Sequence, residues 1–159
     1  MKVVVTIDGP SHKTLQEIEA NAPNIRQAIR QTFFRMGRDL KDKINRDILK
    51  GVKSGRVYWI KSRSSGKRRR HKSSAPGETH ANMFGDLRRS LGWKVVGTNY
   101  MEVGYGVTRE TTPYARRIEE GGTDSRGITI EARPSIGNNT KDVKFETFFQ
   151  EAVNDLASK

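Results

Sequence analysis

From Asn24 to Lys50 the apolar residues Ile25, Ile29, Phe33, Met36, Leu40, Ile44 and Ile48 recur at steps of three or four, with Ala28 beside them. That spacing predicts one long amphipathic helix with a single apolar stripe. Arg26, Arg30, Arg35, Arg38, Lys41 and Lys43 occupy its other faces, and Gly51 is a natural residue to end it. A helix of this length needs a partner layer along one side only, so the remainder of the chain must supply that layer.

The next segment does not qualify. Between Ile48 and Gly77 there is no acidic residue, and ten basic ones: Lys50, Lys53, Arg56, Lys61, Arg63, Lys67, Arg68, Arg69, Arg70 and Lys72. This stretch carries +10 of the chain's net charge of +12. Charge so concentrated repels itself, which keeps the segment out of a core and predicts a solvated arm or one held against something negative. Val57-Tyr58-Trp59-Ile60 reads as one short strand, its rings either core or stacking groups. Ser62–Lys72 reads as a flexible loop with Ser64, Ser65 and Gly66 at its tip. The loop's three readings are a mobile solvated loop, docking on an acidic protein face, and contact with nucleic-acid phosphates. Arg68, Arg69 and Arg70 are the foremost candidates for a contact surface, with Arg56, Lys61, Arg63, Lys67 and Lys72 around them.

Length and composition limit the rest. A chain of 159 residues is expected to form a single domain, 1–159, with an arm at about 56–80 projecting from it. Hydrophobic content is 33% and mean hydropathy is −0.76, so the core is thin and part of the burial is expected from neighbouring subunits. There is no cysteine, which removes disulfides, thiolate metal sites and cysteine nucleophiles. The opening Met1–Asp8 is too quickly polar for a signal peptide, and no apolar run suits a membrane span, so a cytosol-like compartment and no membrane partner are expected.

Residues 2–8 read as a strand stopped by Asp8-Gly9-Pro10. Ser11 caps a short helix over His12–Ala20, and Asn21 offers a cap to the long helix with Pro23 in its first turn. Gly85–Ser90 reads as a helical turn in which Leu87 and Leu91 face the core. Trp93–Gly97 and Met101–Val107 read as a hairpin with Met101, Val103, Tyr105 and Val107 on one face. Pro113–Glu120 reads as a short helix ending at Gly121-Gly122, Ile128–Ala132 as a strand closed by Arg133-Pro134, and 140–157 as a last helix. The order predicts an α+β fold: a long N-terminal amphipathic helix and a C-terminal helix packed on a small antiparallel sheet, with an extended basic loop.

Catalytic patterns are missing. His12, His71 and His80 have no metal-ligand spacing and read as exposed. There is no nucleophile elbow, no phosphate-binding loop and no dinucleotide fingerprint. Glu119 and Glu120 are adjacent and diverge on a helix, which suits paired acid–base work poorly. No catalytic residue, cofactor or metal is expected.

Several short motifs stand in a fixed order: Gly55-Arg56-Val57-Tyr58, Ser74-Ala75-Pro76-Gly77-Glu78, Gly85-Asp86-Leu87-Arg88-Arg89-Ser90-Leu91, Val103-Gly104, Pro113-Tyr114-Ala115 with Ile118-Glu119-Glu120-Gly121-Gly122-Thr123, and Ala132-Arg133-Pro134. Over about residues 25–157 this series resembles the HK97 gp10-like family of tailed-bacteriophage neck or tail-completion proteins. The sequence departs from the family pattern at Thr79-His80-Ala81, Phe84, Gly122 and Ser135, which leaves room for the related tail-terminator family.

The resemblance implies a structural virion protein, a small α+β subunit forming a ring, often hexameric, at the head–tail junction. Its implied partners are other copies of itself, a head-side connector or head-closure protein, a tail-terminator or tail-tube protein, and genomic DNA passing through the bore. Its implied location is the virion, and the host cytoplasm during assembly. Pro76, Gly77, Gly85, Leu87, Leu91, Tyr114, Arg133 and Pro134 fall in the motifs and are expected to be structural, with Arg133 pairing Glu119 or Glu120. The competing readings are a tail-terminator ring protein, a free nucleic-acid-binding protein, and a hydrolase with an unrecognised Ser or His.

Overall fold

The computed structural model describes residues 2–6, 23–107, 114–123 and 125–158. The expected helix over His12–Ala20, the turn after the first strand, the Asn21 cap and Pro113 lie outside the described residues.

Strand β1 (Lys2–Thr6) is followed by helix α1 (Pro23–Lys50). The predicted stripe of α1 is the core: Ile29, Phe33, Met36, Leu40, Ile44 and Ile48 are all buried. Gly51 donates to the Asp47 carbonyl at 2.8 Å, but does so without the left-handed backbone expected of a terminating glycine. Strands β2 (Val57–Lys61) and β3 (Arg68–Lys72) come next, then helix α2 (Asp86–Ser90) and strands β4 (Leu91–Val96) and β5 (Tyr100–Tyr105).

The main sheet has the order β1–β5–β4 and is antiparallel throughout. Its alternation puts Met101, Val103 and Tyr105 under α1, as the sequence predicts, while Glu102 sits on the far face between Lys2 and Lys94, 3.5 and 3.3 Å away. Leu87 and Leu91 are both buried, although Leu91 has extended backbone and opens β4 rather than continuing the helix.

Helix α3 (Ala115–Glu120) leads into a small ladder of β6 (Gly122–Thr123) and β7 (Thr129–Ile130). The predicted strand through Ala132 stops at Ile130. Beyond it the backbone serves other elements: Ala132 O accepts from Gly77 N at 2.9 Å, and Arg133 N donates to Ile118 O at 2.7 Å.

The expected helix over 140–157 begins later, at Phe145, and a short helix that was not expected precedes it. Helix α4 (Ser135–Thr140) starts directly after Pro134, and α5 (Phe145–Ala157) starts after extended Lys144, so Val143 lies in the break. Phe145 stacks on Phe149 and tilts against Phe33, closing α5 on α1. The result is α+β: α1 lies on one face of the main sheet with α5 and α4 beside it.

The largest departure from expectation is in the basic segment. Residues 68–72 are a strand, paired with β2 in the register Val57↔Lys72, Trp59↔Arg70 and Lys61↔Arg68. The loop proper shrinks to 62–67, closed by Ser62 N donating to Lys67 O at 2.9 Å, with Gly66 in the left-handed region.

Candidate interface on the basic hairpin

Opposed residues of an antiparallel pair share a face, so the register divides the hairpin's side chains cleanly. Val57, Trp59, Lys61, Arg68, Arg70 and Lys72 form the outer face, and all are exposed. Tyr58, Ile60, Arg69 and His71 form the inner face, turned toward the body, with Ile60 buried. The three consecutive arginines therefore do not make one surface. Arg69 points opposite to Arg68 and Arg70, and donates to the Met83 carbonyl.

Arg63 also leaves the candidate surface. It folds back from the loop to Asp86 at 2.8 Å and lies 4.3 Å from the centre of the Phe84 ring. Arg56 and Lys67 are exposed at the two ends of the hairpin, where their carbonyls hold Ser73 N and Ser62 N. The rings expected as possible core are in water: Trp59 is 66% exposed and Tyr58 47%.

The hairpin is held at its base by the segment 73–80, which belongs to the body and not to the arm: Ser74 and His80 are buried. Ala75-Pro76-Gly77-Glu78 is a β-turn with Glu78 N donating to Ala75 O at 3.2 Å and Gly77 at φ 78°. Proline at its second position and glycine at its third satisfy the dihedrals of type II. The Glu78 carboxylate accepts from Ser54 Oγ at 2.6 Å, Ala75 N at 2.8 Å and Ser54 N at 3.0 Å, which holds its pKa down at about 2.

Arg133 reaches the same junction. Its guanidinium donates to Ser74 O at 3.2 Å and Glu131 O at 3.0 Å, rather than to Glu119 or Glu120. Those acids are engaged elsewhere. Glu120 pairs with Arg116 at 2.8 Å on the surface. Glu119 is buried and accepts from the backbone N–H groups of Ser135, Ile136 and Gly137 at 3.0, 2.6 and 3.0 Å, capping α4. Burial pushes its carboxyl up against the pull of those three donors.

Between the inner face and the body lies an open, mainly apolar cavity of about 400 Å³, lined by Tyr58, His71, Met83, Tyr114, Ile118 and His80 among others. Tyr114 borders it and is 40% exposed, whereas Ala115 next to it is fully buried. Burial, with Arg69 nearby, lowers the His71 pKa and favours the neutral ring.

His80 is buried, not exposed as expected. Its Nδ1 lies 2.6 Å from Ser135 Oγ and 3.3 Å from the Tyr105 hydroxyl, and burial lowers its pKa to about 4. A Ser–His contact invites a nucleophilic reading, but Ser135 is 0% exposed and the Glu119 carboxylate is spent on the helix N-terminus. The group reads as a buried polar network joining β5, α4 and the 73–80 segment. Among the described residues no three His, Asp or Glu side chains converge as a metal set, and no helix is long and apolar enough to cross a membrane.

Sequence reasoning missed β3, the split of the arginines, and the roles of Glu119 and His80. The alternation of β3 carries no polarity signal because its residues are four cations and a histidine, all polar. No protein-family model, curated protein or solved structure matches the chain.

Proposed function

We propose that this chain is a structural subunit of a tailed-bacteriophage virion, assembling with copies of itself into a ring at the head–tail junction. In that role it joins or closes the tail between a head-side connector and a tail-terminator or tail-tube protein, and lets DNA pass. Its setting is the finished virion, and the host cytoplasm before that.

One observation carries the reading. Three of the short motifs that resemble the neck and tail-completion family are far apart in sequence, yet they meet at one junction under the basic hairpin. Ser74 O accepts from Arg133, Gly77 N donates to Ala132 O, and Arg133 N donates to Ile118 O. Residues that share one structural task, holding a projecting arm at its base, suit a subunit that reaches a neighbour. A ring needs two unlike surfaces on each copy, one of which the hairpin supplies.

Cryo-imaging of the purified protein and of intact particles tests this. Rings in solution, or density at the neck, are expected; a lone monomer in solution together with particles that lack the protein rejects it. Replacing Arg68, Arg70 and Lys72 with Gln is expected to leave folding intact and to block head–tail joining. Normal joining by that variant removes the hairpin from the role. A free nucleic-acid-binding protein is the second reading, favoured by exposed Trp59 among exposed cations.

A further inference from the structure

The outer face of the hairpin has a composition that neither solubility nor folding requires. Lys61, Arg68, Arg70 and Lys72 form no ion pair among the described residues, in contrast to Arg63, which is neutralised by Asp86. In their midst stands Trp59, directly across the ladder from Arg70 and two residues from both Val57 and Lys61. An indole with two-thirds of its surface in water, framed by free cations, is the arrangement in which base stacking and phosphate contact act together.

We infer that the outer face of β2–β3 binds single-stranded nucleic acid without sequence preference, Lys61, Arg68, Arg70 and Lys72 meeting phosphates while Trp59 stacks on an unpaired base. Two considerations choose this occupant. An acidic polypeptide offers the cations a match but gives the indole no flat π surface. A duplex keeps its base faces covered, which leaves Trp59 unused. Phosphate contact carries no sequence information and every base offers a π face to the indole, so sequence preference is not expected.

This inference rests on the hairpin alone and not on ring assembly. It is tested by fluorescence anisotropy with the full chain, using labelled oligo-dT, a mixed-sequence duplex of equal length and poly-glutamate as competitor, over a salt series. Oligo-dT is expected to bind more tightly than duplex, with log K falling against log salt at a slope of about −2.8 for four phosphates. Trp59→Ala should weaken oligo-dT binding about tenfold or more while duplex binding stays unchanged, and Trp59→Phe should restore most of the loss. Arg68, Arg70 and Lys72 replaced together by Gln should flatten the slope to about −0.7.

Duplex bound more tightly than oligo-dT, unchanged affinity in Trp59→Ala, or poly-glutamate that outcompetes oligo-dT would overturn it. Sedimentation of the same samples keeps the two ideas apart. Rings without strand binding reject this inference only, and strand binding by a monomer that intact particles also lack rejects only the ring.

Discussion

Glu119 holds three backbone N–H groups at the start of α4, all within 3.0 Å, in a place water does not reach. Removing the carboxylate leaves those donors without partners, and buried unsatisfied donors cost about 1–3 kcal/mol each before relaxation. Glu119→Ala should therefore destabilise the protein by roughly 2–4 kcal/mol, read as a lower denaturant midpoint. A loss below about 0.5 kcal/mol, the range of ordinary surface substitutions, would show that water replaces the cap.

His80 makes a second residue-scale prediction, in pH. Its folded pKa of about 4 lies below the ordinary 6.5, so between these values the unfolded chain takes up a proton that the folded chain refuses. Stability from this group is fully present above pH 6.5, falls as pH drops toward 4, and then levels; the full loss is on the order of 3 kcal/mol. Glu78 acts in the same sense but lower, from its ordinary 4.5 down to about 2. Glu119, with its carboxyl raised, acts in the opposite sense as pH rises above 4.5. Comparing the native chain with His80→Gln cancels both. The stability of the native chain relative to that variant should fall as pH drops from 6.5 to 4, and a difference that stays constant across this range refutes the assignment.

At the scale of elements, α1 was the most legible, because periodicity alone identifies its buried face and every predicted stripe residue is in or against the core. One position inside it was not legible. Gly37 weakens a helix by propensity, yet a Cβ there would lie 2.5 Å from the Trp93 ring. The glycine lets the indole of β4 lie against the helix backbone, with Phe34 edge-on at 4.8 Å. Gly37→Ala should therefore lose about 1–3 kcal/mol by overpacking, despite a gain of about 1 kcal/mol in helix propensity. Thermal unfolding checks this, and a raised Tm would show that Trp93 moves aside freely.

Strand β3 was illegible for a related reason. Four cations and a histidine in a row have no polar–apolar alternation, and only pairing with β2 reveals two faces.

For the whole molecule, the arm is separable from the body. Arg56 O and Ser73 N are 3.0 Å apart, so the chain leaves and re-enters the body at one point. Replacing 57–72 by Asn-Gly, a pair suited to a two-residue hairpin turn, should preserve the circular dichroism of the body. It should cost about 2 kcal/mol, chiefly for the lost burial of Ile60. Collapse of the fold in that variant would mean that the hairpin is part of the core. The same excision should abolish strand binding, because the outer-face cations leave with it.

The α+β class, the long helix with its buried stripe, the β4–β5 hairpin, and the place where positive charge gathers can all be read along the linear chain. Each is carried by local spacing or by charge that no fold can hide. Tertiary structure alone decided which arginines face outward, that Arg133 serves carbonyls rather than acids, that Glu119 caps a helix, and that His80 is buried. Those outcomes depend on which backbone groups are left unpaired when distant segments meet, and a linear reading has no access to that competition.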